Sequence, residues 1–350
     1  DHGVLGLALL MVGLGTVFGP TVAAAIVRAI GSRSATQIAS FVSITWVLLP
    51  LMAPTVPLLF VACLTFGIVA GVLNVAINTQ GTEVEKARGR PTMSAFHGFF
   101  SLGGLVGAAI WGPLFNLGLG DGRGAAIVTA LSLVSLIWSV RGLLPDEPRA
   151  EAQSRRGGGN RLAFPGALIG LAVIGLICTA VEGSVGDWSG LFLMSVKNAD
   201  PALAASGYFM FSLAMTASRF AGGPVVERLG DRRVVIFGGV LIAVGMATVV
   251  LAPVALVSAA GYLIVGIGAA NASPVLISAA SRAPGVAPEV GVALVSTSIS
   301  TGLLAGPPVI GFLAQFLGLS AALGIVAAFG LLVAALAALR TWPTPGKPAT

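Results

Sequence analysis

Long apolar runs of roughly 20 residues alternate with short polar links along this chain. A helix of about 20 apolar residues spans the hydrocarbon core of a bilayer. With 56% hydrophobic and only 9% charged residues, the chain has too little polar side-chain surface for a soluble domain of 350 residues. The short segments of alternating polarity that build a membrane barrel do not occur in the sequence. The pattern therefore predicts an all-α polytopic membrane protein.

The apolar runs predict eleven membrane-spanning helices, with boundaries defined to within a few residues. Their approximate bounds are Leu5–Val27, Ala35–Met52, Val56–Ile77, Ser94–Phe115, Gly124–Val140, Leu162–Val181, Leu203–Val226, Val234–Leu251, Leu256–Ala280, Val290–Phe316 and Ala321–Leu339. An odd number of spans places the two ends of the sequence on opposite sides of the membrane.

Alternate loops carry almost all of the positive charge. Of the 19 Lys and Arg residues, only Arg123 and Lys197 fall on the side opposite to the loop at 225–234. Because positive residues are retained on the cytoplasmic side of a membrane, we expect that loop and the C-terminus to be cytoplasmic. These loops also explain the net charge of +6, so we expect no nucleic-acid partner.

The longest polar segment is predicted to divide the chain into two halves. Pro145–Arg161 is rich in Pro, Gly and charge, which is typical of a flexible linker. The predicted organisation is a transmembrane bundle at 1–144, a cytoplasmic linker at 145–161, a second bundle at 162–340 and a cytoplasmic tail at 341–350. "FGIVAGVLNVAIN" (66–78) and "VGIGAANASPVLIS" (265–278) are weakly similar. This similarity indicates either an internal repeat, with a substrate site between the halves, or merely shared composition.

One short loop concentrates charge between two apolar runs. In "VVERLGDRR" (225–233), Glu227 ends one predicted helix, Gly230 permits a tight turn, and Asp231, Arg232 and Arg233 follow. Such a cluster could hold two helices together in one conformation and release them in another. The alternative is a plain basic loop that follows the positive-inside rule.

The spacing of this loop resembles the signature loop of the major facilitator superfamily (MFS), G-x-x-x-D-R-x-G-R-R. The matching residues here are Gly223-x-x-x-Glu227-Arg228-x-Gly230-Asp231-Arg232-Arg233, with Glu in place of Asp and Asp231 in place of the first closing arginine. The resemblance implies a cytoplasmic latch whose acidic residue and first arginine stabilise one access state. The first half departs from the pattern, because Arg28 stands where the acid would be and only Gly31 and Arg33 match.

Five further stretches look like the fucose-permease-like branch of that superfamily, and in particular its poorly characterised bacterial inner-membrane members. They are "NVAINTQGTEVE", "FHGFFSLGGLVGA", "EGSVGDWSGLFL", "GIGAANASPVLISAA" and "GLLAGPPVIGFLAQFLGL". The resemblance implies the MFS fold, two pseudo-symmetric helical bundles, with about 11 of an expected 12 helices present and the first one missing. It also implies a multi-pass protein of the bacterial inner membrane, and we expect a monomer.

Charged side chains inside the predicted spans are the first candidates for transport residues, because charge inside a bilayer is costly. Glu182 is the clearest, and the three glycines that follow it predict a helix break that would open to a cavity. Glu182 could bind a proton or a sugar hydroxyl. The alternative is a carboxylate at the outer water interface, with Asp187 as an ordinary interfacial residue.

Asn74 and Asn78 lie one helical turn apart. Their amides suit hydroxyl-rich ligands, or equally hydrogen bonds between helices. Proton-coupled members of the fucose-permease family carry an acid where Asn74 stands. Proton coupling would therefore fall to Glu182, or the protein would be a facilitator.

The second half adds further polar candidates. Asn271 lies near a kink predicted at Pro274, and Ser300 lies in the following span; either could line a cavity or serve polar packing. Arg219 is expected to be a partner for the acidic residue of the latch loop rather than a substrate ligand.

Together these features predict a secondary active or facilitative transporter of a small polar solute, such as a sugar or related metabolite. A drug or metabolite exporter of the same superfamily is the alternative within transport. A degenerate or regulatory membrane protein that no longer transports is the alternative from another class. The sequence contains no phosphate-binding loop with a lysine and no metal-ligand pattern, so we expect neither an enzyme nor a bound cofactor, although proton coupling is compatible with it.

Overall fold

The computed structural model describes residues 2–119, 122–146 and 166–342. Within these ranges the protein consists of helices and short connections. The α-helices are α1 His2–Ile30, α2 Ser32–Trp46, α3 Leu49–Met52, α4 Val56–Arg88, α5 Met93–Leu114, α6 Gly122–Ser139, α7 Gly166–Ser195, α8 Pro201–Leu229, α9 Asp231–Leu251, α10 Ala255–Ala269, α11 Ala272–Ser281, α12 Pro288–Leu317 and α13 Leu319–Leu339. A π-helical turn follows α5 at Phe115–Leu119, and a 3₁₀ turn follows α6 at Val140–Gly142.

The part of the chain that the structure describes contains nine helical segments long and apolar enough to cross a membrane. In this count α2 with α3, and α10 with α11, each form one segment. The predicted spans Ser94–Phe115 and Leu203–Val226 correspond to α5 and α8, which are helices but are not among the nine. The all-helical membrane architecture is therefore confirmed, whereas the count of eleven spans is not.

The chain forms two compact units. The first comprises the described residues of Asp1–Ala87, Phe100–Ala163 and Gly285–Thr297, and the second those of Arg88–Phe99, Phe164–Pro284 and Ser298–Thr350. Each unit thus takes residues from both halves of the sequence. Most of the predicted linker at 145–161 and of the predicted tail at 341–350 lies outside the described residues, so that division of the chain stays a prediction.

Glycines join α1 to α4 in the first unit. A Cβ built on Gly67 of α4 would lie 2.2 Å from the carbonyl oxygen of Val12 and 2.9 Å from the Cα of Gly15. Because lipid offers no hydrophobic drive for helices to associate, close backbone approach through small residues is a main source of attraction between membrane helices. Gly15 and Gly19 of α1 and Gly67 and Gly71 of α4 are therefore packing residues.

The second unit has an extensive apolar core. Its largest fully buried side chains include Tyr262, Phe192, Phe211, Ile242 and Met246. They come from four different helices of the unit, α7 to α10, and interdigitate with residues of α12 and α13. This core fixes the positions of the helices that carry the charged cluster described below.

The helix break predicted after Glu182 is wrong. Helix α7 runs without interruption from Gly166 to Ser195, and Gly183 lies against α12, where an added Cβ would be 2.6 Å from the carbonyl oxygen of Leu303. A backbone group inside a bilayer has no water to bond with, so the helix keeps its hydrogen bonds and uses the glycine for close packing. The interruption occurs elsewhere, between α10 and α11.

Candidate functional site

A buried charged cluster lies in the second unit. Nη2 of Arg219 on α8 lies 3.8 Å from Oε1 of Glu182 on α7, and the two side chains are 7% and 27% exposed. Glu182 is near the centre of its membrane span, Leu168–Ser195. A charge near the middle of a membrane-spanning helix requires a partner.

The interruption between α10 and α11 has a clear cause. Pro274 has no N–H to donate to the carbonyl of Ala270, four residues earlier. Nε of Arg219 donates a hydrogen bond to that carbonyl oxygen at 3.2 Å and so satisfies it. The helix resumes when the N–H of Val275 donates to the carbonyl of Asn271 at 3.1 Å.

Asn271 completes the contact between the interruption and α8. Its Nδ2 donates to the carbonyl oxygen of Ser218 at 3.2 Å, while its Oδ1 is buried without a hydrogen-bond partner. Two neighbouring residues of α8 and two of the interruption therefore exchange side-chain-to-backbone hydrogen bonds. Gly222 makes room for this contact, because a Cβ there would lie 2.1 Å from Oδ1 of Asn271.

The candidates Asp187 of α7 and Ser300 of α12 lie outside this cluster. Asp187 is exposed on α7, and Ser300 is half-buried on α12. Between them, Nε1 of Trp188 donates to the carbonyl oxygen of Pro307 at 3.0 Å and ties the two helices together. The structure does not bring either residue into the hydrogen-bonded cluster of Glu182, Arg219 and Asn271.

The asparagine pair of the first half lies in the first unit. Asn78 is buried, and its Nδ2 donates to the backbone oxygen of Asn74 at 2.8 Å and to its Oδ1 at 3.1 Å. Asn74 is exposed towards a cavity of about 610 Å³. This cavity is lined largely by apolar residues, with Ser43, Thr129 and Ser132 among them.

The latch loop forms a sharp turn between α8 and α9. Gly230 has φ +78° and ψ 156°, a conformation that L-residues rarely adopt. Oδ2 of Asp231 lies 2.5 Å from Nη2 of Arg282 at the end of α11. Arg232 donates to the carbonyl oxygen of Ala338, near the end of α13. The loop thus ties α9 to two other helices of its unit.

Glu227 and Arg228 are exposed, with Gly223 buried one turn earlier. A cavity of about 590 Å³ lies against Glu227 and also contacts Pro91 and Trp342. Arg219, which was expected to partner the acidic residue of the latch loop, lies instead beside Glu182. Its distance from Glu227 along α8 is about 12 Å at 1.5 Å per residue.

Two contacts of the first unit were missed from the sequence. Nε of Arg28 lies 3.5 Å from Oε1 of Glu289, in the first turn of α12. Asp146, predicted to lie in a flexible linker, accepts hydrogen bonds from the N–H of Arg33 at 2.8 Å and from Oγ of Ser34 at 3.0 Å. Both pairs are more than a hundred residues apart in sequence, and no local pattern signals them.

Comparisons with known proteins agree with this architecture. The family profile described as the Major Facilitator Superfamily matches residues 2–287 and 171–350. An uncharacterized MFS-type transporter of Yersinia pestis is 34% identical over 336 residues, which cover 95% of this chain and 85% of the relative.

Two solved structures share the fold. The Escherichia coli fucose:proton symporter FucP superposes with a TM-score of 0.76 at 15% identity, covering 97% of this chain and 91% of that one. The proton:xylose symporter XylE, bound to 6-bromo-6-deoxy-D-glucose, has a TM-score of 0.79 at 15% identity, covering 99% and 88%. At such identities the likeness concerns the fold alone.

Proposed function

The chain belongs to the major facilitator superfamily, and from that premise we propose that it is a secondary transporter of a small polar solute, a sugar or related metabolite. It works by alternating access, in which helical bundles rock around a binding site near the centre of the membrane. The observation that carries this proposal is the cluster of Glu182, Arg219 and Asn271 at a helix interruption deep in the second unit.

The chemistry of the cluster suits such a solute. An interrupted membrane helix is tolerated where it lines a cavity or is satisfied by protein groups. The carboxylate of Glu182 retains 27% exposure, so it can accept a hydrogen bond from a hydroxyl or take up a proton. Asn271 adds a buried amide oxygen that has no donor.

We further propose a multi-pass protein of the bacterial inner membrane with a cytoplasmic C-terminus. The distribution of Lys and Arg supports the orientation. The relative from Yersinia pestis supports a bacterial membrane. The loop from Gly223 to Arg233 then faces the cytoplasm and acts as a latch that stabilises one access state.

Solute-dependent stabilisation tests the proposal. The purified protein in lipid nanodiscs is heated with a panel of neutral sugars, sugar acids and polyols, beginning with fucose and xylose. A solute that binds the folded protein raises its stability by about 2.7 kcal/mol at a concentration 100 times its Kd. The stabilising solute is then used in uptake assays with proteoliposomes. If no polar solute stabilises the protein or enters proteoliposomes faster than protein-free vesicles, the proposal fails.

Glu182→Gln separates coupled from facilitated transport. We expect the variant to lose the pH dependence of uptake, because Gln has nearly the shape of Glu but cannot bind and release a proton. Asp187→Asn, five residues further along the same helix and exposed, is the matched control and should keep it. Unchanged pH dependence in Glu182→Gln would exclude Glu182 as the coupling residue.

A further inference from the structure

The chain leaves α13 at the wall of a cavity beside the latch loop. Arg340, the residue after α13, has extended backbone angles, φ −97° and ψ 150°, so the helix ends there. Nε1 of Trp342 then donates to the carbonyl oxygen of Ala337 at 3.0 Å, which turns the indole back against the helix. Trp342 also lines the latch cavity, the space of about 590 Å³ beside Glu227. Residues 343–350, which lie outside the described part of the chain, therefore start from this wall.

The latch cavity contains an acidic side chain that is available to a cation. Asp231 is paired with Arg282, and Arg232 donates to the carbonyl oxygen of Ala338. Glu227 lines the same cavity, is exposed, and forms no ion pair within the part of the chain that the structure describes. A cation that enters the cavity therefore finds its complementary charge at Glu227.

The segment that follows Trp342 has the chemistry to enter this cavity. It reads P-T-P-G-K-P-A-T, and Lys347 is its only charged side chain. Its three prolines favour the extended polyproline conformation, which presents carbonyl acceptors and loses little conformational entropy on binding. Such segments bind grooves with aromatic walls. Here the wall includes Trp342 and Pro91, and the exposed Arg233 can donate to the carbonyls of the segment.

The segment is also long enough to reach the acid. The five residues from Trp342 to Lys347 span about 16 Å in the polyproline conformation. Because Trp342 and Glu227 line the same cavity, this length brings the lysine to the carboxylate. The volume of about 590 Å³ is that of a site for a drug-sized ligand, and so suits a short peptide segment.

We propose that residues 343–350 bind in the latch cavity as a strap, with Lys347 paired to Glu227 and the prolines against Trp342. The strap joins the end of α13 to the turn between α8 and α9, and it stabilises the latch loop in the arrangement described above. It has to leave the cavity when the latch opens, so it slows the exchange between access states. This regulatory role rests on the proposed function, whereas the binding of the strap requires no solute.

A zero-length cross-link tests the binding in the full chain. The protein is placed, without solute, in nanodiscs of lipids that carry no amino group. A water-soluble carbodiimide then joins a carboxylate to an amine in contact with it as an amide, taking up the water that is lost. Mass spectrometry of the digested protein should recover Glu227 joined to Lys347. Lys347→Arg should abolish the link, because a guanidinium keeps the charge but does not form this amide.

Hydrogen–deuterium exchange measures the effect of the strap on the latch loop. Lys347→Gln should speed exchange at 225–236 about two- to fivefold, the range for losing one ion pair at a surface. Removal of residues 343–350 should speed it at least as much. Lys347→Arg should exchange as the wild type does. Lys86→Gln is the matched control, because it removes an exposed cation at the end of α4 and should leave 225–236 unchanged.

The variants together test whether Lys347 acts through Glu227. Glu227→Gln combined with Lys347→Gln should speed exchange no more than the stronger single change, because both remove the same pair. Fully additive effects overturn the pairing. Wild-type exchange at 225–236 in both Lys347→Gln and the shortened protein overturns the strap. If the shortened protein exchanges faster throughout, it has unfolded, and Lys347→Gln then decides.

Other occupants of the cavity give different cross-links. In nanodiscs that contain phosphatidylethanolamine, Glu227 joined to the lipid amine in place of Lys347 overturns the strap and assigns the cavity to a lipid headgroup. A link from Glu227 to any other lysine also overturns it. The strap and the proposed function fail separately. A cross-linked strap in a protein that moves no solute contradicts only the transport proposal, and solute uptake without the link contradicts only the strap.

Discussion

Replacing Gly31 by alanine tests whether the turn between α1 and α2 is built around Asp146. Gly31 has φ +87° and ψ 161°, a region that is essentially reserved for glycine. An added Cβ would also lie 2.2 Å from Cγ of Asp146, whose carboxylate caps the start of α2. Gly230, in the corresponding turn of the second half, has nearly the same conformation but nothing within 4 Å of an added Cβ.

Comparing the two glycine variants therefore separates the cost of backbone strain from the cost of losing the helix cap. Both alanine variants force a side chain into the strained backbone conformation, at about 1–3 kcal/mol. Gly31→Ala should additionally expel the carboxylate of Asp146 and remove a helix cap, which is worth about 0.5–2 kcal/mol. We expect Gly31→Ala to lower the free energy of unfolding by that further amount relative to Gly230→Ala.

Equilibrium unfolding in mixed micelles measures these differences. The decisive comparison repeats Gly31→Ala in a protein that already carries Asp146→Ala. There the carboxylate is absent, so the cost of Gly31→Ala should fall to about that of Gly230→Ala. Equal costs for the two glycine variants in the parent protein, or an unchanged cost of Gly31→Ala without Asp146, would refute the assignment of Asp146 as the cap.

Two further contacts give quantitative predictions. Arg28→Glu and Glu289→Arg should each destabilise the protein, and the double exchange should recover most of the loss. The coupling energy should be about 0.5–1 kcal/mol, because Arg28 is 47% exposed and screened by solvent. A double-mutant cycle with no coupling would contradict the ion pair. Gly67→Ala should cost about 1–3 kcal/mol because its Cβ would lie 2.2 Å from a carbonyl oxygen of Val12. Gly104→Ala is the control, because nothing lies within 4 Å of the new Cβ, and it should be neutral or stabilise α5 by up to about 1 kcal/mol. Equal shifts of the unfolding temperature in the two variants would contradict the packing role of Gly67.

Hydropathy made the helical membrane architecture predictable, because apolar runs of membrane length leave few alternatives. Glycine was the main source of error. The glycines after Glu182 were interpreted as a helix break, whereas Gly183 is a packing residue within a continuous helix. In a bilayer the two roles give the same sequence, and only the neighbouring helix distinguishes them. Pro274 was more informative, since its missing N–H affects the backbone whatever packs beside it.

The candidate site was predictable as a set of residues but not as an arrangement. Glu182 was selected because charge inside a membrane is costly, and Asn271 because it lies near the kink predicted at Pro274. Their contacts join three helices and were not predicted: Arg219 was expected to accompany the acidic residue on its own helix, but contacts Glu182 and Ala270. Sequence spacing describes contacts within one helix, and contacts between helices depend on packing that spacing does not encode.

The turns of the two halves show a likeness that their sequences conceal. In each half, the residue that follows the glycine of positive φ contacts the far end of a later helix. Ser32 donates to Oε2 of Glu83 near the end of α4 at 2.6 Å, and Asp231 pairs with Arg282 at the end of α11. The chemistry of the contact differs: the first half has a hydroxyl–carboxylate hydrogen bond, and the second half has an ion pair. The two halves thus place a polar contact at corresponding turns, while the internal repeat stays a prediction.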